Sequence, residues 1–312
     1  MEKLKYNKIS DHQICIIVPY FGVFPVWFDL YLYSCSVQNN IDFIFFTDCV
    51  IPEVVYDNTI FISVSFDDYC AYISEKLNIK FNPASPYKLC DVKPFYGVIH
   101  ETIINQYTFW GFADIDLLFG HLEMVVNKDN LGKYDVITTH TNRIAGHFTI
   151  VRTNTKYTKI CLQIPNWKEK LICQNHLSVD EDDWVLLVFP LVKWLRRLYR
   201  FVFHPLHIPM KYCYEGVLNR ILCNRITRIS FREYKTTPIP SDKQTWIYDL
   251  SKGEVLNPEG CQIPYLHFLF FKKTPYKNLK QFWDTDFYKI NPGFSYRGIV
   301  RINNKGIFVE ND

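Results

Sequence analysis

Residues 109–120 read FWGFADIDLLFG. An apolar run ends in two aspartates one residue apart, Asp114 and Asp116, and then turns apolar again. Carboxylates are costly to bury unless a cation pairs with them. Such a pair, leaving a hydrophobic strand, points to a hard divalent ion, which takes carboxylate oxygens and keeps waters or phosphate oxygens as its remaining ligands. The elements before this strand indicate the fold that carries it.

Residues 14–18 (ICIIV) are continuously apolar, as expected of a parallel strand buried on both faces. The run exits through Pro19, Tyr20, Phe21 and Gly22. A helix is expected over about residues 25–37, closed by Asn39 and Asn40. Residues 43–46 (FIFF) read as a second strand ending in Thr47 and Asp48, and residues 60–64 as a third. Ser65 or Asp67 would cap a helix over residues 68–77. Strand and helix alternate, so the expected class is α/β, with a mixed, mainly parallel, Rossmann-like sheet flanked by helices. Ligands of such sheets bind outside the carboxyl ends of the strands, where Tyr20, Asp48 and Asp114 all fall. There is no GxGxxG or Walker sequence, so no glycine-rich phosphate loop is expected.

The whole composition narrows the class. A chain of 312 residues with 48% hydrophobic content is expected to pack a substantial core. A formal net charge of +3 is not that of a nucleic-acid-binding protein. The ten cysteines include no CxxC pair, so structural zinc is not expected and free thiols in a reducing compartment are. The start, MEKLKYNKISDHQ, is polar, and the apolar run over 184–192 is too short to span a bilayer. The expected location is cytoplasmic.

Several further stretches bear on chemistry. Residues 86–100 (PYKLCDVKPFYGVIH) read as a helix start in which Lys88, Asp91 and Lys93 either meet phosphate oxygens or form a solvated face. Residues 135–138 read as a strand leading to His140, then to Gly146 and His147, ahead of a strand over 148–152. That polar connection suits substrate contact, or is an ordinary hairpin. Residues 180–183 (DEDD) alone are a solvated turn or helix start; beside a metal pair, Asp180 or Glu181 supplies a catalytic carboxylate. In residues 191–204 (LVKWLRRLYRFVFH), Lys193, Arg196, Arg197 and Arg200 share one helical face. This basic amphipathic pattern fits an anionic membrane surface, or a core helix with a wet side. Residues 212–227 look helical, residues 254–260 look like a turn region, and 291–312 like short strands and turns. In the run 265–273 (YLHFLFFKK), His267 is a core histidine or a third metal ligand, and Lys272 and Lys273 are candidate phosphate partners.

These parts suit a sugar-nucleotide diphosphate. A metal held by Asp114, Asp116 and His267 would bridge the phosphates, cations would stabilise the leaving group, and a carboxylate would serve the acceptor. At these residues the chain resembles the GT-A-fold glycosyltransferases of bacterial capsule and cell-surface polysaccharide synthesis. The resemblance is carried by PYFG at 19–22, FFTD at 45–48, PYKLCDVKPFYG at 86–97, WGFADIDLLFG at 110–120, VDED at 179–182 and LHF at 266–268. It implies a GT-A-type sheet and Mn²⁺ or Mg²⁺ on the aspartate pair and His267. It also implies nucleoside contact by Tyr20 and Asp48, with Pro19 and Phe21 in the same loop, and Lys88 and Asp91 near the donor. The implied reaction moves a hexose, from a donor such as UDP-galactose or UDP-glucose, to a glycan or lipid-linked acceptor.

The expected organisation is a catalytic core over 1–183 and 231–290, a basic helical insertion over 184–230 for acceptor or membrane docking, and a tail over 291–312. Two other readings stand beside this one: a metal-dependent phosphoryl or nucleotidyl transferase using the same aspartates, and a non-catalytic membrane-associated binding module whose functional element is the basic helix.

Overall fold

The computed structural model describes residues 6–139, 144–180, 184, 229–231, 236, 244–267, 298–303 and 306–310. A seven-stranded sheet runs through the centre in the order β3-β2-β1-β4-β7-β6-β8. Its strands are β1 (Ile14–Pro19), β2 (Ile41–Thr47), β3 (Thr59–Ser63), β4 (Phe109–Ala113), β6 (Val136–Thr138), β7 (Phe148–Arg152) and β8 (Ile229–Phe231). β7 is antiparallel to both β4 and β6; all other neighbours pair in parallel. The mainly parallel, mixed α/β class expected from the sequence is therefore present.

The continuous apolar strands have a direct cause. Side chains alternate across a strand, and here both faces are dry. Cys15 and Ile17 of β1, Ile44 and Phe46 of β2, and Trp110 and Phe112 of β4 enter one core. Ile14, Ile16 and Val18, then Phe43 and Phe45, then Phe109 and Ala113 enter the other. Helix α2 (Phe66–Leu77) covers the first face with Tyr69, Cys70 and Ile73. Helix α1 (Phe28–Ser36) covers the second with Phe28, Tyr31 and Leu32.

Helix boundaries follow local chemistry. Ser65 caps α2: its Oγ accepts the Asp68 amide at 3.1 Å. Asn78 closes the helix in the left-handed conformation, φ 49°. α1 starts three residues later than the expected residue 25, because Trp27 is drawn into the preceding loop, where its indole N–H donates to the Ile115 carbonyl at 2.9 Å. Residues 86–100 do not form one helix. A 3₁₀ helix spans Pro86–Phe95, followed by a single α turn at Tyr96–Ile99. Pro94 lies inside the stretch and lacks the amide that an α-helix would need there.

Two smaller sheets complete the described structure. β5 (Leu117–Phe119) pairs antiparallel with β12 (Tyr265–His267). A five-stranded sheet has the order β11-β10-β9-β13-β14, built from β9 (Trp246–Asp249), β10 (Glu254–Leu256), β11 (Gln262–Ile263), β13 (Ile299–Asn303) and β14 (Gly306–Glu310). Its core includes Leu30 of α1 and Leu118 of β5, so it packs on the central domain. Residues 299–303 and 306–310 form the short strands expected there, and they pair within this sheet. The expected turn region at 254–260 begins with β10, because Glu254–Leu256 zips onto β9; only Asn257 to Gly260 turns. β8, which joins the main sheet, straddles the expected insertion boundary at 230/231. Trp184, the first residue of the expected insertion, is fully buried against Phe112. The amphipathic stretch 191–204 lies outside the described residues. No helix among the described residues is long and apolar enough to cross a membrane.

Candidate functional site

The order of the sheet sets the place of the site. The chain builds β1, β2 and β3 outward in one direction, then returns to lay β4 on the other side of β1. In an open α/β sheet the crevice at such a reversal, outside the carboxyl ends, is where ligands bind. Tyr20 leaves β1 and Asp114 leaves β4, on the two sides of that reversal. Asp48 follows β2, and its carboxylate accepts the Gly22 amide at 2.7 Å, tying the first two exit loops together. Gly22 needs this freedom: its φ is +106°. Tyr20 stacks on Phe24 with ring centres 5.6 Å apart. Phe21 turns inward against Phe66 and Tyr69, and Pro19 closes β1.

The two aspartates have different surroundings. Asp114 is partly exposed, and its Oδ1 accepts a hydrogen bond from Lys93 Nζ at 2.5 Å. The Asp114 amide donates to the His147 carbonyl at 2.9 Å, and Lys93 also donates to the Gly146 carbonyl at 2.8 Å. Burial works against the charged Lys93 ammonium, but Asp114, Cys90 and Asp180 outweigh it and hold the group well above its ordinary range. Asp116 is only 2% exposed. His267 stands opposite Leu117 across the β5–β12 pair, which sets its Nε2 3.5 Å from Asp116 Oδ2. The His267 ring stacks on His147 at 4.2 Å, and His147 Nε2 shares a hydrogen bond with the Tyr265 hydroxyl at 2.8 Å. Tyr265 also hydrogen-bonds the Thr139 hydroxyl.

Asp116 and His267 offer a hard divalent ion one oxygen and one nitrogen donor, buried and 3.5 Å apart. Asp114, two residues before Asp116, is engaged by Lys93. Among the described residues, the acidic and histidine side chains whose ligand atoms converge as a group of three are Asp91, His176 and Asp180, all within 4.8 Å of one another. Asp91 in that group already has partners. Asp91 accepts the Leu177 and Val179 amides, each at 2.9 Å, and the Lys88 ammonium at 2.8 Å, so its oxygens are already engaged and its charge already matched.

The residues named from sequence therefore separate into groups. Asp116 comes together with His267, which stacks on His147, and Asp114 is joined through Lys93 to Gly146. Asp180 is buried with its Oδ2 4.0 Å from Lys93 Nζ, so it joins the same site. Lys88 and Asp91 are engaged with each other and with the segment 170–179. The Lys88 ammonium donates to Asp91 and to the carbonyls of Lys170 at 2.8 Å and Asn175 at 2.7 Å, which exhausts its three protons inside the protein. His140, Glu181, Lys272 and Lys273 lie outside the described residues. Lys93 is the residue that sequence reading undervalued. Its signal was present in the DVKP run, but grouping it with Lys88 hid the difference.

Fold and site thus define an α/β domain with a carboxylate-rich crevice at its strand reversal. The chain belongs to the family of unknown function DUF6625, whose model matches residues 16–192, more than half of the chain. That match spans the sheet from β1 through β7 and includes Lys93, Asp114, Asp116 and Asp180. No curated protein matches the chain.

Proposed function

We propose that this protein is a metal-dependent glycosyltransferase of GT-A type, moving a hexose from a nucleotide-sugar donor to a glycan or lipid-linked glycan in surface polysaccharide synthesis. The observation that carries the reading is the approach of His267 to Asp116 at 3.5 Å, beside Asp114, at the reversal point of a mainly parallel sheet. Asp114, Asp116 and His267 would hold Mn²⁺ or Mg²⁺. When bound, such an ion supplies Lewis-acid stabilisation of the departing diphosphate.

The chain's own residues supply the rest. Tyr20 and Asp48 flank the crevice from β1 and β2 and would orient the nucleoside. Lys93 adds a fixed positive charge beside Asp114. Asp180 or Glu181 would take the acceptor hydroxyl proton or flank the reacting carbon. Lys272 and Lys273 would meet phosphate oxygens. The reaction belongs at the cytoplasmic face of a membrane, with residues 191–204 touching anionic lipid.

A thermal-shift panel of nucleotide sugars with Mn²⁺ tests this, because a ligand that binds only the folded state raises apparent stability by mass action. One donor should raise the melting temperature in Mn²⁺ and not in EDTA, and should yield free nucleoside diphosphate with a glycosylated acceptor. Transfer of a phosphate-bearing group would make the protein a phosphoryl or nucleotidyl transferase. Turnover that persists in excess EDTA would overturn the metal reading.

A further inference from the structure

We infer that Lys93 holds the cation seat of this site in the absence of a divalent ion, and that binding of such an ion requires its pair with Asp114 to break. The inference rests on the metal reading above and specifies how that site is regulated. Lys93 rises from the 3₁₀ helix Pro86–Phe95 into the crevice with a side chain only 8% exposed. Its ammonium meets Asp114 Oδ1 at 2.5 Å, the Gly146 carbonyl at 2.8 Å and Asp180 Oδ2 at 4.0 Å. One cation thus spans the first aspartate of the DID pair and the acidic residue at 180.

Burying an ammonium costs free energy unless carboxylates and hydrogen bonds surround it, and here they do. The same contacts keep Asp114 ready. Its amide is held by the His147 carbonyl while its carboxylate is held by Lys93, itself bonded to the adjacent Gly146 carbonyl. A carboxylate oxygen 2.5 Å from an ammonium is occupied and neutralised. A dication competing for Asp114 meets like-charge repulsion at short range, which in a partly buried site is large. Released from Asp114, the ammonium keeps Gly146 and Asp180 as partners and leaves the site richer in positive charge. Lys93 therefore disfavours the ion alone and favours the ion together with an anionic diphosphate.

The test is a titration with Mn²⁺ alone, followed by the electron paramagnetic resonance signal of the free ion, on the full chain and on Lys93→Met. Circular dichroism checks folding. The variant should bind Mn²⁺ roughly tenfold or more tightly, since a competing charge at contact distance has been removed. Its melting temperature in EDTA should fall, and the rise on adding Mn²⁺ should grow. If Lys93→Met does not fold, Lys93→Gln, which keeps a donor for Gly146 without the charge, carries the same expectation. Equal or weaker Mn²⁺ binding by a folded variant overturns this inference alone. Mn²⁺ bound by neither protein overturns the metal site itself, and this inference with it.

Discussion

His267 Nε2 stands 3.5 Å from Asp116 Oδ2, and the two are brought together only by the pairing of β12 with β5. Either side chain alone would be a buried polar group in an apolar strand end. Together they form a donor corner. Asp116→Asn keeps the shape and removes the charge. On the proposed reaction, turnover of the responding donor should fall by about 100-fold or more, since a metal seated here would no longer be held to stabilise the leaving group. The Mn²⁺-dependent rise in melting temperature should vanish with it. Retention of that rise in Asp116→Asn would take the metal away from this corner.

Lys88 and Asp91 give a different result when mutated. They are 2% and 0% exposed, and they join the 3₁₀ helix to the segment 170–179 through four further hydrogen bonds. Removing one partner of a buried pair leaves an uncompensated charge, so Lys88→Met should cost about 3–5 kcal/mol in urea unfolding. The double variant Lys88→Met with Asp91→Asn should lose less than the sum of the singles. A raised donor KM with unchanged stability would instead put Lys88 on the ligand.

His100 predicts a pH dependence. It is fully buried, stacked on Phe46 at 4.6 Å, with its Nε2 sharing a hydrogen bond with the Tyr69 hydroxyl at 2.9 Å. Burial, with a smaller push from Lys76, lowers its pKa from 6.5 to about 3. The unfolded chain takes up this proton near pH 6.5, while the folded chain refuses it until about pH 3. Between those values the unfolded state binds more protons, so stability falls as pH falls and the loss levels off below about pH 3. At pH 5 the cost is about 2 kcal/mol. His100→Phe keeps an aromatic ring against Phe46 and cannot titrate. Urea unfolding at pH 7 and pH 5 should show a shallower fall for the variant; an identical fall in both proteins would refute the assignment.

Gly111 tests the packing directly behind the DID loop. A Cβ there would meet the Thr149 carbonyl oxygen at 2.5 Å and Ile16 Cδ1 at 2.9 Å. The carbonyl belongs to the neighbouring strand β7 and cannot swing aside. Gly111→Ala should therefore cost about 1–3 kcal/mol. Gly132 lies in the short helix Lys128–Lys133 with nothing within 4 Å of the same position. Gly132→Ala should leave stability unchanged or raise it by up to about 1 kcal/mol. Equal effects at the two glycines would contradict the close approach of β4 to β7.

Much of the central sheet was legible because its signal is local. Residues 14–18, 43–46 and 109–113 are apolar at consecutive positions, and in runs this short and rich in β-branched and aromatic residues the pattern fits a strand dry on both faces. Ser65 was readable as one of two candidate caps for the same reason, and the structure picks it over Asp67. Of the five-stranded sheet only the short strands within 291–312 were legible; β9, β10 and β11 are short and half-buried, and each is defined by its partners.

The amino-acid sequence alone determined the alternation of strand and helix and the position of the DID pair at a strand's carboxyl end, because periodicity and burial are properties of neighbouring residues. The tertiary structure alone decided which charges meet. Lys88 is taken up by the carbonyls of Lys170 and Asn175, and Asp91 by the amides of Leu177 and Val179. Lys93, five residues beyond Lys88, points elsewhere and takes Asp114. His267 reaches Asp116 because β12 pairs with β5 in one register and no other. Contacts between residues so far apart in the chain depend on register and handedness, and those are set only when the sheets assemble.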